Sequence, residues 1–238
     1  MKHLIPYFLI VLTLLGCKDP VPATRIDSPV IDLKYDNLHQ FVIKKGKDEI
    51  APSKFQWTSS DEKVGTVDSN GLFKARKIGQ TKIRAMADGK TFESNVTISP
   101  YNTFVIEPIL EFGLDEAAIR TKEIREFLTK SGNWVYFESA SPSVRRVAYY
   151  FENDKSVHSL LLFQYTLENY ASNIAMFGTY YNERYPNKEN IGGKVAYVDD
   201  NKTLAIFYAH DDYIGYNTAY YPYKNAAQKI GLAKSFHP

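Results

Sequence analysis

The last part of the chain is crowded with tyrosine: Tyr208, Tyr213, Tyr216, Tyr220, Tyr221 and Tyr223. A tyrosine ring presents an apolar face that can stack on the C–H face of a sugar, and its hydroxyl adds a hydrogen bond at the rim. Tyr216 and Tyr220 are an even number of residues apart, so on an unbroken strand they share one face, while Tyr213 and Tyr221 share the other. Tyr216 and Tyr220, with Asp212, Asn217 and Tyr223 nearby in sequence to offer hydrogen bonds, form the candidate ligand-binding site. The pair is expected on the sheet face that helices leave open, with Tyr213 and Tyr221 under a helix beginning near Leu167. A half-buried pleated surface also accepts tyrosine readily, so packing competes with binding as the reason for the row.

Catalytic chemistry has fewer candidates. His210-Asp211-Asp212 could serve as a metal or acid–base cluster, and Glu107 with Glu111, or Asp199 with Asp200, could form a carboxylate pair of the kind glycoside hydrolysis uses. None of them sits in a signature: the sequence contains no HExxH, no glycine-rich phosphate loop and no GxSxG. His39 falls in the first β-rich region and His237 beside the final residue, which leaves His158 and His210 for chemistry. Arg145-Arg146 reads as a solvated pair. No catalytic residue, metal or cofactor is assigned, and the chain is expected not to be an enzyme.

The elements that would position these groups begin with an unusual leader. Lys2 precedes a twelve-residue apolar run, Leu4 to Leu15, which ends at Gly16 and the single cysteine, Cys17. The run is too short for a bilayer-spanning helix, which needs about 20 residues, and has the order of a secretory signal. A small residue directly before a lone cysteine resembles the lipobox of bacterial lipoproteins. That resemblance implies cleavage after residue 16 and acylation of Cys17, with palmitate-type chains holding the protein on the bacterial outer membrane, at the cell surface or on its periplasmic face. Several acyl chains at about 0.8 kcal/mol per buried methylene anchor a protein without a spanning helix. The mature chain would then have no thiol, excluding disulfides and cysteine nucleophiles. Lys18-Asp19 after the cysteine resembles the export signals of Bacteroidetes surface lipoproteins. Residues 17–29, with Pro20 and Pro22, read as an extended tether.

Without residues 1–16 the chain keeps 28 basic residues against 27 acidic, Lys2 being the one lost. So even a balance predicts no nucleic-acid partner. Residues 30–99 divide into short apolar runs separated by turn signals, among them Asn70-Gly71 and Asp88-Gly89, tight-turn dipeptides that favour hairpins. About seven strands at such spacing argue for an antiparallel sandwich. Trp57-Thr58-Ser59-Ser60-Asp61, Val64, Val67-Asp68, Gly71-Leu72-Phe73, Gly79, Thr81 and Ile83 together resemble the bacterial immunoglobulin-like group 2 family over residues 30–98. The resemblance implies an all-β sandwich with Trp57 in its core, used in surface proteins as a spacer or as a protein- or glycan-binding module.

Residues 100–238 change character, and residues 101–238 hold 16 of the 18 tyrosines. A helix is expected from Asp115 to Leu128, with Ala117, Ile124, Phe127 and Leu128 as its stripe, followed by strands at 134–137, 144–151 and 158–164. A second helix runs along Leu167, Tyr170, Ala171, Ile174, Phe177, Gly178 and Tyr181, spaced for one apolar face. Strands at 195–198, 204–208 and 213–221 follow it. This is an α+β domain, an antiparallel sheet with two helices on one face, built as an αβββ unit and its duplicate. It resembles domains that follow an immunoglobulin-like module in Bacteroidetes lipoproteins. The expected function is a membrane-anchored, non-catalytic binding or adhesion module for a glycan or a surface protein, its oligomeric state open. The alternatives are an envelope hydrolase acting on polysaccharide or peptide, and a structural assembly subunit.

Overall fold

The computed structural model describes residues 22–103, 105–139, 141–164, 170–211 and 214–229. Ten short strands make up the first domain: β1 (Thr24–Ile26), β2 (Val30–Lys34), β3 (Leu38–Gln40), β4 (Ile43–Lys45), β5 (Asp48–Ile50), β6 (Gln56–Ser59), β7 (Gly65–Val67), β8 (Leu72–Ala75), β9 (Gly79–Ala87) and β10 (Lys90–Ser99). They form a four-stranded sheet ordered β2-β10-β9-β6 and two three-stranded sheets, β1-β4-β5 and β3-β8-β7. The sandwich is not wholly antiparallel, because β2 runs parallel to β10, Val96 lying opposite Ile31.

Alternation along β8, β9 and β10 turns Phe73, Ile83, Ala85, Val96 and Ile98 inward onto Phe41, Phe55 and Trp57. The Trp57 ring stacks on Phe41 at a centroid distance of 6.4 Å, and its indole N–H donates to the Pro52 carbonyl at 3.1 Å. Gly71 adopts φ +78°, and a Cβ there would come within 2.9 Å of the Trp57 ring and of the Phe41 carbonyl. Both facts make the position specific to glycine. Ser59 and Ser60, from the stretch after Trp57, lie 2.8 and 3.2 Å from the Thr81 hydroxyl oxygen and so tie β6 to the start of β9.

The tether is shorter than expected. Thr24–Ile26 pairs with β4 and Ile26 enters the core at 5% exposure, so the domain begins within the segment read as residues 17–29. An apolar residue with a paired backbone belongs to a fold, whatever prolines precede it.

The second domain is one eight-stranded antiparallel sheet with helices α1 (Glu116–Lys122) and α2 (Tyr170–Arg184). Its strands are β11 (Phe127–Ser131), β12 (Trp134–Phe137), β13 (Val144–Glu152), β14 (Lys155–Phe163), β15 (Asn187–Ile191), β16 (Lys194–Val198), β17 (Leu204–Asp211) and β18 (Gly215–Pro222). Their spatial order, β11-β12-β13-β14-β18-β17-β16-β15, places the last strand of each half at the centre. Each half is a helix followed by four strands, not three.

The additional strand of the first half lies where a helix was expected. Helix α1 starts as read, Asp115 accepting the Ala118 N–H at 2.9 Å, but it ends at Glu123, whose backbone is extended. Glu123 and Arg125 form a buried ion pair at 2.7 Å, and Arg125 also donates to the carbonyls of Ile106 and Glu107. That pair turns the chain, and Phe127–Ser131 becomes an edge strand on β12. The additional strand of the second half, Asn187–Ile191, is polar and forms the opposite edge.

Strand alternation divides the side chains between two cores. Val135, Phe137, Val147, Tyr149 and Leu161 join Phe177, Tyr180 and Tyr181 of α2 on one face, and Trp134, Tyr136, Ala148, Leu160 and Leu162 gather on the other. Phe177 and Tyr181 carry the expected stripe of α2, whereas Leu167 lies outside the described residues.

Candidate binding cleft between the domains

The tyrosine pair proposed from parity is not a surface site. Tyr220 is fully buried against α2, its hydroxyl 2.7 Å from that of Tyr181. Tyr216 shares that face, as the spacing required, but it is half-buried, stacked on Tyr208 at 5.8 Å and against His210 at 4.6 Å. Parity correctly unites the two rings, yet it does not say which face the helix covers. Tyr221 is buried too, but in the opposite core, where its ring stacks on His158. Asn217 is 2% exposed and is bonded to the Gly215 carbonyl. Being one residue from Tyr216, it points away from it. Tyr223 follows the strand and donates to Glu189, which also pairs with Lys202. Asp212 and Tyr213, like Cys17, lie outside the described residues.

The acid–base candidates are likewise structural. Glu111 pairs with Lys122 at the surface, while Glu107 accepts the Tyr185 hydroxyl at 2.8 Å inside the domain, so the two make no catalytic pair. Burial raises the Glu107 pKa above its ordinary value, against the lowering effects of Tyr185 and Arg184. Asp199 accepts the Thr203 and Leu204 N–H groups at 2.6 and 2.7 Å and so closes the β16–β17 hairpin. Asp200 pairs with Lys77 of the first domain. Among the described residues no three potential metal ligands are gathered.

That Lys77–Asp200 contact belongs to the surface on which the two domains meet. Ile78, the residue before β9, donates its N–H to the Glu183 carbonyl at 2.8 Å. The last carbonyls of a helix have no partner within it, and here the other domain supplies one. The Glu183 side chain is buried between Arg184 at 2.5 Å and the Tyr101 N–H at 2.8 Å. An acid near a helix C-terminus is unfavourable by itself, and these two donors compensate it. Arg184 also donates to the Asn102 carbonyl at 3.2 Å. The end of α2, the linker and the first domain are thus fastened together by hydrogen bonds to adjacent residues.

Beside this fastening opens a cleft of about 610 Å³. The first domain contributes Tyr35 and Asp36, from the turn between β2 and β3, and the linker contributes Tyr101 and Asn102. Helix α2 contributes Ala175, Met176, Thr179 and Asn182, at spacings that place them away from Phe177, Tyr180 and Tyr181. Asp36 has φ +67° in its turn, a conformation that aspartate tolerates better than most residues. Tyr101 is 51% exposed and donates to Asp36 at 3.3 Å. Burial, then the charges of Asp36 and Glu183, raise the Tyr35 pKa above its ordinary value. No spacing argument could find this site, because its walls come from residues far apart in the chain.

Fold and site together define a two-domain β-rich protein, an immunoglobulin-like sandwich fastened to a larger sheet with a cleft at the junction. Residues 20–98 match the family model of the bacterial Ig-like domain (group 2). The match runs from before β1 to Ile98, the penultimate residue of β10, and leaves the second domain outside it. Such domains occur in bacterial surface proteins. No curated protein matches the chain. Among the described residues no helix is long and apolar enough to cross a membrane.

Proposed function

We propose that the protein is an envelope lipoprotein, acylated at Cys17, that acts as a non-catalytic binding module for a glycan or protein ligand. The observation that carries the binding reading is the cleft between the domains, whose walls are fixed by the Ile78–Glu183, Tyr101–Glu183 and Lys77–Asp200 contacts. Ligand sites favour domain junctions, and the volume here lies within their usual range of about 300–1,000 Å³. The anchor reading is supported by the order Lys2, apolar run, Gly16, Cys17. On this reading the immunoglobulin-like domain is both spacer and half of the site. The test is fractionation of cells expressing the wild type and Cys17→Ser. Wild-type protein should require detergent for release and Cys17→Ser should not, whereas release of wild type by buffer alone overturns the anchor. Binding is tested by presenting the mature chain, residues 17–238, to glycan and peptide arrays; absence of binding on both overturns the module.

A further inference from the structure

We propose that the interdomain cleft takes a neutral saccharide, with Tyr101 as the stacking platform and Asp36, Asn182 and Thr179 as hydrogen-bonding groups. This rests on the binding-module reading above and names the chemical class of its ligand. The lining combines half-exposed aromatic rings with a carboxylate, two amides and a hydroxyl, and it contains no cationic side chain. A ring bearing many hydroxyls needs that combination, because each hydroxyl both donates and accepts while the C–H face is apolar. Asp36 can accept from two neighbouring hydroxyls, and as a charged acceptor it makes the stronger kind of hydrogen bond. Thr179 donates to the Ala175 carbonyl at 3.0 Å, so its oxygen faces a ligand as an acceptor.

Two competing chemistries fit less well. An anionic ligand would meet the Asp36 carboxylate, and the nearby cation Lys34 is outside the lining and donates to the Pro100 carbonyl. A cationic amine would suit Asp36, but it would meet the charge of Lys34 at the edge of the cleft beside Tyr101. The Lys34 ammonium lies 5.9 Å from the Tyr101 ring and is fixed by donation to the Pro100 carbonyl at 2.7 Å. A neutral polyhydroxyl ring is what remains.

The experiment titrates the mature chain, residues 17–238, with neutral oligosaccharides, using amine-bearing chito-oligosaccharides and short peptides for comparison, and reads binding by calorimetry. A neutral oligosaccharide should bind, and Tyr101→Ala and Asp36→Asn should each weaken it at least tenfold. Tyr101→Phe should weaken it less, and Lys130→Gln, at the exposed Lys130–Glu116 pair on the edge strand β11, should leave it unchanged. Asparagine also tolerates the backbone of position 36, and Asn182→Ala is a second probe that leaves the turn untouched; unchanged melting temperatures confirm that each variant folds. Saccharide binding that survives both Tyr101→Ala and Asp36→Asn overturns the cleft as the site while leaving the module standing. Peptide or amine binding lost in those variants, with no neutral saccharide bound, overturns the ligand class alone. Binding of no probe overturns the inference together with the module.

Discussion

The hydroxyls of Tyr181 and Tyr220 meet at 2.7 Å between fully buried rings, one on helix α2 and one on the central strand β18. Tyr220→Phe keeps the ring and removes one partner of that bond. A buried polar group that loses its partner costs about 1–3 kcal/mol, so the variant should be destabilised by that amount, and Tyr181→Phe similarly. The double variant Tyr181→Phe, Tyr220→Phe leaves neither hydroxyl stranded and should cost much less than the sum. A coupling energy of about 0.5–3 kcal/mol is expected for groups in contact. The ring packing, with centroids 6.3 Å apart, survives in every arm, which isolates the hydroxyls. Equilibrium urea unfolding of the mature chain measures all four corners of the cycle. If Tyr220→Phe leaves stability unchanged and the two effects add, the hydroxyls face water and α2 does not cover this part of the sheet. The parity-based surface site would then be open again.

Three further outcomes follow from the packing. Trp57→Ala should cost about 3–5 kcal/mol in thermal or urea unfolding, the range for a large buried aromatic, since the ring is 8% exposed and its N–H is bonded. Gly65→Ala should destabilise the first domain by about 1–3 kcal/mol by overpacking, because the added Cβ would lie 2.2 Å from the Phe73 ring. Glu107→Gln should change the pH profile of stability: burial raises the Glu107 pKa above its ordinary 4.5, so its contribution is full below that pH and is lost as pH rises through the raised value. The variant minus wild-type difference should therefore grow with pH above 4.5, and a flat difference would place the carboxyl in water.

Much of the first domain was legible because its signals are local. Asn70-Gly71, Asp88-Gly89 and the spacing around Trp57 each specify a turn or a core contact within a few residues. The second domain was legible where periodicity had one interpretation, as along α2. It failed at Ile124, Phe127 and Leu128, whose spacing fits a helix. The decisive Glu123–Arg125 pair depends on carbonyls of Ile106 and Glu107, some twenty residues earlier, and Ile124 is left 77% exposed. Asn187–Ile191 has no apolar alternation because an edge strand buries little. For the tyrosines, period two fixes which rings share a face, while the landing of α2 fixes which face is inside. The cleft joins the turn at 35–36 to the linker at 101–102 and to α2, a relation set by how the domains dock.

The sheet of the second domain is finished from its middle. β18, the last strand among the described residues, pairs with β14 on one side and β17 on the other, Leu160 lying opposite Ala219 and Ile206 opposite Tyr220. A chain made from its N-terminus therefore completes β11 to β14, then waits with one edge of the apolar strand β14 open until residues 215–222 exist. Such distant pairing slows folding, because the intervening chain must be ordered before the contact is made. An open strand edge is meanwhile a template for pairing with other chains. A stop codon just before Gly215 would remove not a frayed end but the strand that joins β14 to β17, the seam between the two halves of the sheet.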